Sequence, residues 1–107
     1  MEEIKEIDLS QAFEIVNKNK TKFVWLGTEN VNQIAGLMNL NSDKIIQLSP
    51  MELINTNEKE LINSLQGHVF VCYHGNTSKI VAKILKSKHG VEAFSLKGGI
   101  TEIAQKK

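Results

Sequence analysis

The stretch VFVCYHGNTS at residues 69–78 decides the fold of this chain. It begins with three apolar residues, two of them β-branched, which predict a buried strand running directly into Cys72. Residues 73–77 are polar and include Gly75, so they predict a loop. Residues 78–88 then carry apolar side chains at helical spacing on one face and lysines on the other. Cys72 is therefore predicted to lie in a loop between a strand and an amphipathic helix.

Strands and helices are also predicted to alternate on both sides of this stretch. The predicted strands are residues 4–7, 23–26, 45–48, 69–71 and 91–96. The predicted helices are residues 9–17, 58–65 and 78–88, with further short helices that begin at residues 50 and 100. Residues 28–42 allow either a helix or an irregular segment, because their apolar spacing is helical but asparagines are frequent. This order predicts an α/β fold, with a five-stranded, mainly parallel sheet and helices on both faces.

Composition limits the functions open to the chain. Its 107 residues fit one compact domain over residues 1–107. The net charge of +1 gives no strong field for nucleic acid or an anionic membrane, and no apolar run is long enough to span a bilayer. A single cysteine excludes an intramolecular disulfide and a thiolate zinc site, and we expect no metal and no cofactor. Residues 1–5 lack the apolar run of a signal peptide, so we expect a cytoplasmic protein.

Cys72 is predicted to lie where a sulfur anion is stabilised. In parallel α/β sheets the ligand site lies beyond the carboxyl ends of the strands, and Cys72 follows such an end. The first N–H groups of the next helix lack partners within the helix, and the helix dipole adds positive charge there. Both effects favour thiolate over thiol. Gly75 allows a tight loop that turns N–H groups inward around an anion. The alternative is a buried cysteine that packs as a small apolar residue.

A second motif, FSLKGGI at residues 94–100, follows at a suitable distance. Together with residues 69–78 it resembles the active-site loop and final strand of the rhodanese-like sulfurtransferase family. The resemblance implies a rhodanese-like fold, with Cys72 as the catalytic residue that carries a sulfane sulfur as a persulfide. It also implies a substrate-binding loop made of Tyr73, His74, Gly75, Asn76, Thr77 and Ser78. The implied partners are a small sulfur donor (thiosulfate or a persulfide), a thiol or cyanide acceptor, or a sulfur-relay protein.

Three departures from the family pattern bear on the substrate. The family's second strand usually ends in Asp-x-Arg, whereas the counterpart here, residues 26–28, reads Leu-Gly-Thr. The family's usual Gly-His-Ile segment before the third strand has no match. Many thiosulfate-using members have arginine at the position of Thr77. We therefore expect thiosulfate to be a poor donor, and a catalytically inactive rhodanese-fold module that binds a partner protein stays an alternative.

The chain contains no arginine, which decides against a second class of cysteine enzyme. A cysteine phosphatase also holds a thiolate between a strand and a helix, but it needs an arginine fork for the phosphoryl oxygens. All 13 basic residues of this chain are lysines. A thioredoxin-type reductase would need a second cysteine, which is also missing.

Several single residues allow two interpretations. His74 either polarises a donor or is solvated, and Tyr73 either walls the pocket or packs on the domain surface. Ser78 either donates to the sulfur or is an ordinary residue of the first helical turn. Lys79 is near enough to the loop to attract an anion, although a lysine stripe is usually a solvated face. Trp25 is expected in the core or at the domain surface.

Overall fold

The computed structural model describes residues 4–105, so the ends of the predicted domain, residues 1–3 and 106–107, lie outside the described part. Its strands are β1 (Lys5–Ile7), β2 (Phe23–Trp25), β3 (Ile45–Gln47), β4 (His68–Val71) and β5 (Ala93–Leu96). Its α-helices are α1 (Leu9–Asn19), α2 (Val31–Met38), α3 (Pro50–Asn55), α4 (Lys59–Ser64), α5 (Asn76–His89) and α6 (Gly99–Gln105).

The five strands form one sheet in the order β1-β5-β4-β2-β3, and every neighbouring pair is parallel. The predicted α/β class and five-stranded parallel sheet are thus confirmed. β4 is the central strand, and all but its first residue are buried. A parallel strand covered by helices on both faces needs apolar side chains in both directions, which is why β4 is a continuous apolar run. Cys72 therefore leaves the sheet at its centre.

Helices cover both faces of the sheet, as predicted. α1, α2 and α6 contribute to the core on one face, and α3, α4 and α5 contribute to the core on the other. Alternate side chains along a strand point to opposite faces. Val69 and Val71 accordingly lie in the first core, whereas Phe70 and Cys72 lie in the second. The side chain of Cys72 therefore points to the face that α5 covers.

Capping side chains set where α1 and α2 begin. Asp8 and Gln11 form a reciprocal capping box at the start of α1. The segment that the sequence left open forms α2, because asparagines lie at its two ends. Asn30 accepts a hydrogen bond as the N-cap, and Asn39 ends the helix in the left-handed conformation with φ 58°. Two of the four asparagines in residues 28–42 thus mark the ends of α2, whereas Asn32 lies in its first turn and Asn41 lies beyond it.

Two boundaries around α5 differ from the sequence prediction. The helix begins at Asn76, two residues before the predicted start, because Gly75 serves as its N-cap with φ 90°. At the other end, the N–H of Val91 donates to Leu85 O at 3.1 Å and closes the last turn, so β5 begins only at Ala93. No helix within residues 4–105 combines the length and the hydrophobicity that a membrane span requires.

Candidate active site

Cys72 lies directly after β4, and the start of α5 supplies hydrogen bonds to its sulfur. The N–H of Gly75 donates to Sγ at 3.1 Å, and the N–H of Ser78 donates to it at 3.3 Å. The sulfur also lies at the positive end of the helix dipole. Hydrogen bonds from N–H groups to an ionisable group favour its anionic form, so both contacts stabilise a thiolate.

Two buried hydroxyls adjoin the sulfur. Ser78 Oγ lies 3.3 Å from Cys72 Sγ and 2.6 Å from Ser95 Oγ. Both serines are fully buried. The sequence singled out Ser78, which contacts the sulfur, but it gave no prediction for Ser95. The available signal was a serine in the otherwise apolar strand β5, on the same face of the sheet as Cys72.

The double glycine, Gly98 and Gly99, lies at the start of α6, whose first turn is hydrogen-bonded to the loop that carries Cys72. The N–H of Ile100 donates to Cys72 O at 2.9 Å, and the N–H of Thr101 donates to Tyr73 O at 3.1 Å. A Cβ at Gly99 would lie 2.3 Å from Cys72 O, so only glycine permits this approach. The two motifs that carried the resemblance, residues 69–78 and 94–100, therefore contact each other in the structure.

Tyr73 packs away from α5 and holds the segment that follows β2. Its ring meets the Trp25 indole edge to face, with ring centroids 5.1 Å apart. Its hydroxyl accepts the Thr28 N–H at 3.1 Å and donates to the Glu29 carboxylate. Trp25 is fully buried, so it belongs to the core. Residues 26–28, the expected counterpart of the family's Asp-x-Arg, are thus held at Thr28 by a hydrogen bond to an aromatic hydroxyl.

The other residues of the predicted substrate loop are exposed. His74 Nδ1 lies 3.4 Å from Thr101 Oγ1, and the side chains of Asn76 and Thr77 face solvent in the first turn of α5. Lys79 Nζ lies 3.8 Å from Glu6 Oε1, an exposed ion pair of the kind that contributes little stability. The structure therefore brings Gly75 and Ser78 to the sulfur. The side chains of His74, Asn76 and Thr77 lie on the outer surface of the loop instead.

Access to the sulfur is narrow, because Cys72 is only 3% exposed. A cleft of about 330 Å³ lies beside Gly98 and Gly99, between α1 and α6. It is lined by Asp8, Leu9, Leu96, Lys97, Gly98, Gly99, Glu102 and Ile103. Cys72 is not among these residues, so the cleft does not lead directly to the sulfur.

Comparison with known proteins identifies the fold. No protein-family model matches the chain, and no curated protein matches it at a significant level. A rhodanese-related protein from Thermoplasma volcanium superposes with a TM-score of 0.65 at 20% identity, over 95% of this chain and 92% of that protein. A human single-domain sulfurtransferase gives a TM-score of 0.65 at 13% identity, over 95% of this chain and 96% of that one.

A third solved structure is a much larger protein. The NAD-dependent persulfide reductase from A. fulgidus superposes with a TM-score of 0.60 at 24% identity. The match covers 91% of this chain but only 15% of the reductase, so this chain corresponds to a small part of it. At these identities the three comparisons establish the fold. The chain has the rhodanese-like fold that the two motifs predicted.

Proposed function

We propose that this chain is a sulfurtransferase in which Cys72 accepts a sulfane sulfur as a persulfide and passes it to a thiophilic acceptor. The observation that carries the proposal is the environment of the Cys72 sulfur, which receives N–H groups from Gly75 and Ser78 at 3.1 and 3.3 Å. A thiolate is the nucleophilic form of cysteine, and these donors favour it. The rhodanese-like fold, which a human sulfurtransferase shares, supports the same reaction.

The proposed reaction has two displacements at sulfur. In the first, the Cys72 thiolate attacks the sulfane sulfur of the donor, an S–S bond forms at Cys72, and the donor's own S–S bond breaks. The donor leaves with the electron pair, as sulfite from thiosulfate or as a thiolate from a persulfide. In the second, a thiolate or cyanide attacks the outer sulfur and Cys72 leaves as a thiolate. The inner sulfur carries no proton at any stage, so the same N–H groups can donate to it throughout, although in the persulfide the negative charge lies on the outer sulfur.

A persulfide fits the site better than thiosulfate does as the donor. Thiosulfate is a dianion, and fixed cationic groups assist its binding. Thr77 is neutral, and the nearest lysine along α5, Lys79, is exposed and paired with Glu6. The reacting group of a persulfide carries at most one negative charge and relies less on such a cation. The name of one structural neighbour, a persulfide reductase, agrees with this class of donor.

Intact-protein mass measurement tests the proposal directly. The folded protein is exposed to a small-molecule persulfide and, separately, to thiosulfate. We expect the mass to rise by one sulfur atom with the persulfide, and cyanide or excess thiol should reverse the gain. The chain has one cysteine, so Cys72→Ser should show no gain. Folded protein that reacts with iodoacetamide but never gains sulfur from any donor would contradict the proposal.

A non-catalytic module that binds a partner protein is the second candidate. Two observations favour it: Cys72 is 3% exposed, and residues 26–28 lack the charges usual in the family. The same samples distinguish the two functions. A catalytic Cys72 should be alkylated by iodoacetamide in the folded state, whereas a cysteine that only packs in the core should resist alkylation until the protein unfolds.

A further inference from the structure

Ser95 is connected to the Cys72 sulfur through the hydroxyl of Ser78, and it is fully buried. It is on β5, where its neighbour across the sheet in β4 is Phe70. Its Oγ lies 2.6 Å from Ser78 Oγ, which in turn lies 3.3 Å from Cys72 Sγ. Both hydroxyls have zero exposure. Neither hydroxyl contacts bulk solvent, and protein groups supply the hydrogen-bond partners that the structure shows.

Cys72 Sγ, Ser78 Oγ and Ser95 Oγ form a row of three hydrogen-bonding groups. The number of protons they share depends on whether the sulfur is a thiol or a thiolate. A neutral thiol and two hydroxyls carry three protons, but the chain Sγ–Oγ–Oγ contains two hydrogen bonds. Within the described residues, neither serine side chain has another hydrogen-bond partner. One of the three protons is then left without an acceptor, either on Ser95 Oγ or on the sulfur, and an unpaired proton on a buried hydroxyl is costly. With a thiolate there are two protons for two bonds, and every proton has an acceptor.

The direction of the hydrogen bonds follows from this count. When Cys72 is a thiolate, Ser95 donates to Ser78, and Ser78 donates to the sulfur. When Cys72 is a thiol that donates to Ser78, Ser78 donates to Ser95, whose own proton has no partner. The inner sulfur of a persulfide also carries no proton, so it too can only accept from Ser78, although the negative charge then lies on the outer sulfur. The pair of serines thus matches both forms that sulfur transfer requires.

We propose that Ser95 is a positioning residue for Cys72 that acts through Ser78. By donating to Ser78 Oγ, it turns the Ser78 proton toward the sulfur and stabilises the unprotonated form. This role deepens the proposed function and rests on it, because the thiolate is the form that attacks the sulfur donor. A merely structural role would differ in its consequence: the hydroxyl would contribute to the free energy of unfolding but not to the ionisation of Cys72.

The test measures the ionisation of Cys72 without any sulfur donor, so its outcome is separate from that of the sulfurtransferase proposal. The near-ultraviolet absorbance of the thiolate is recorded for the wild type and variants at the pH where half the wild-type thiol is ionised, with Cys72→Ser as the blank. We expect Ser78→Ala to lower the ratio of thiolate to thiol by about tenfold and Ser95→Ala to lower it by about threefold. Iodoacetamide alkylation should slow in the same order.

The double variant separates a role through Ser78 from an independent one. Since Ser95 acts on the sulfur only through Ser78, Ser95→Ala should change nothing further in the Ser78→Ala background. The double variant should also fold well, because removing both hydroxyls of a buried hydrogen bond leaves neither of them unpaired. Ser87→Ala, which removes an exposed α5 hydroxyl bonded to Lys83 O, is the control and should keep the wild-type ratio.

Two results would overturn the proposal. One is a wild-type thiolate ratio in folded Ser95→Ala, which would leave Ser95 a packing role alone. The other is an undiminished effect of Ser95→Ala in the Ser78→Ala background, which would show that Ser95 does not act through Ser78. Thermal unfolding of each variant confirms that the compared samples are folded.

Discussion

Gly99→Ala should lower the free energy of unfolding by about 3 kcal/mol and disrupt the hydrogen bonds to the Cys72 sulfur. The new Cβ would lie 2.3 Å from Cys72 O and 2.6 Å from both the carbonyl carbon and oxygen of Tyr73. These are backbone atoms, so no side-chain rotation relieves the contact. Gly99 also has φ 62°, a conformation that alanine resists. The loop that carries Cys72 must therefore move, and the hydrogen bonds to its sulfur should be lost with it.

Two other glycines separate the contributions to this effect. Gly36 lies within α2 with open space around it, so Gly36→Ala should stabilise the protein by about 0.5–1 kcal/mol. Gly90 has φ 69° and also faces open space, so Gly90→Ala should cost about 1 kcal/mol for its conformation alone. Urea unfolding measures all three variants, and iodoacetamide alkylation reports the site. A Gly99→Ala protein no less stable than Gly90→Ala would show that the close approach to Cys72 does not matter.

The central part of the fold could be predicted because its signals are local. An apolar run, a glycine and an amphipathic helix follow one another within residues 69–88, and each depends on its own sequence. The same holds for the capping box of Asp8 and Gln11. Residues 28–42 could not be assigned from the sequence, because an asparagine stabilises a helix end but weakens a helix interior. The assignment depends on where Asn30 and Asn39 lie relative to the helix ends.

The contacts that complete the candidate site are not local, and the sequence did not predict them. Ser95 reaches Ser78, 17 residues away, only because of the register of β5 beside β4 and the rotation of α5 above them. Tyr73 could have faced the sulfur or the domain surface, and the choice depends on Trp25, which belongs to a different strand. The double glycine was visible as a motif, but its contact with Cys72 O required the packed structure. The roles of the predicted loop residues in substrate binding stay predictions.

Thr77→Arg should raise the rate of sulfur transfer from thiosulfate to cyanide by about 10- to 100-fold. Thr77 is exposed, and it immediately precedes Ser78, whose N–H contacts the Cys72 sulfur. An arginine there starts from the outer surface of the loop, but its long side chain can turn toward a donor that approaches the sulfur, and its planar fork suits the oxygens of thiosulfate. The chain has no arginine of its own, so the effect is measured against a background without a guanidinium.

Charge and geometry must be separated for this prediction to be informative. Thr77→Lys adds a point charge without the fork and should give a smaller increase, whereas Ser87→Arg, near the other end of α5, adds the same net charge away from the site and should give none. With a small-molecule persulfide as donor, the transfer rate of Thr77→Arg should stay within about threefold of the wild-type rate, because that donor has no sulfonate oxygens to bind.

Equal gains in rate from Thr77→Arg and Ser87→Arg would indicate a general attraction of anions. If the wild type already transfers sulfur from thiosulfate at the rate of Thr77→Arg, backbone N–H groups alone can bind the dianion. The preference for a persulfide donor would then be wrong.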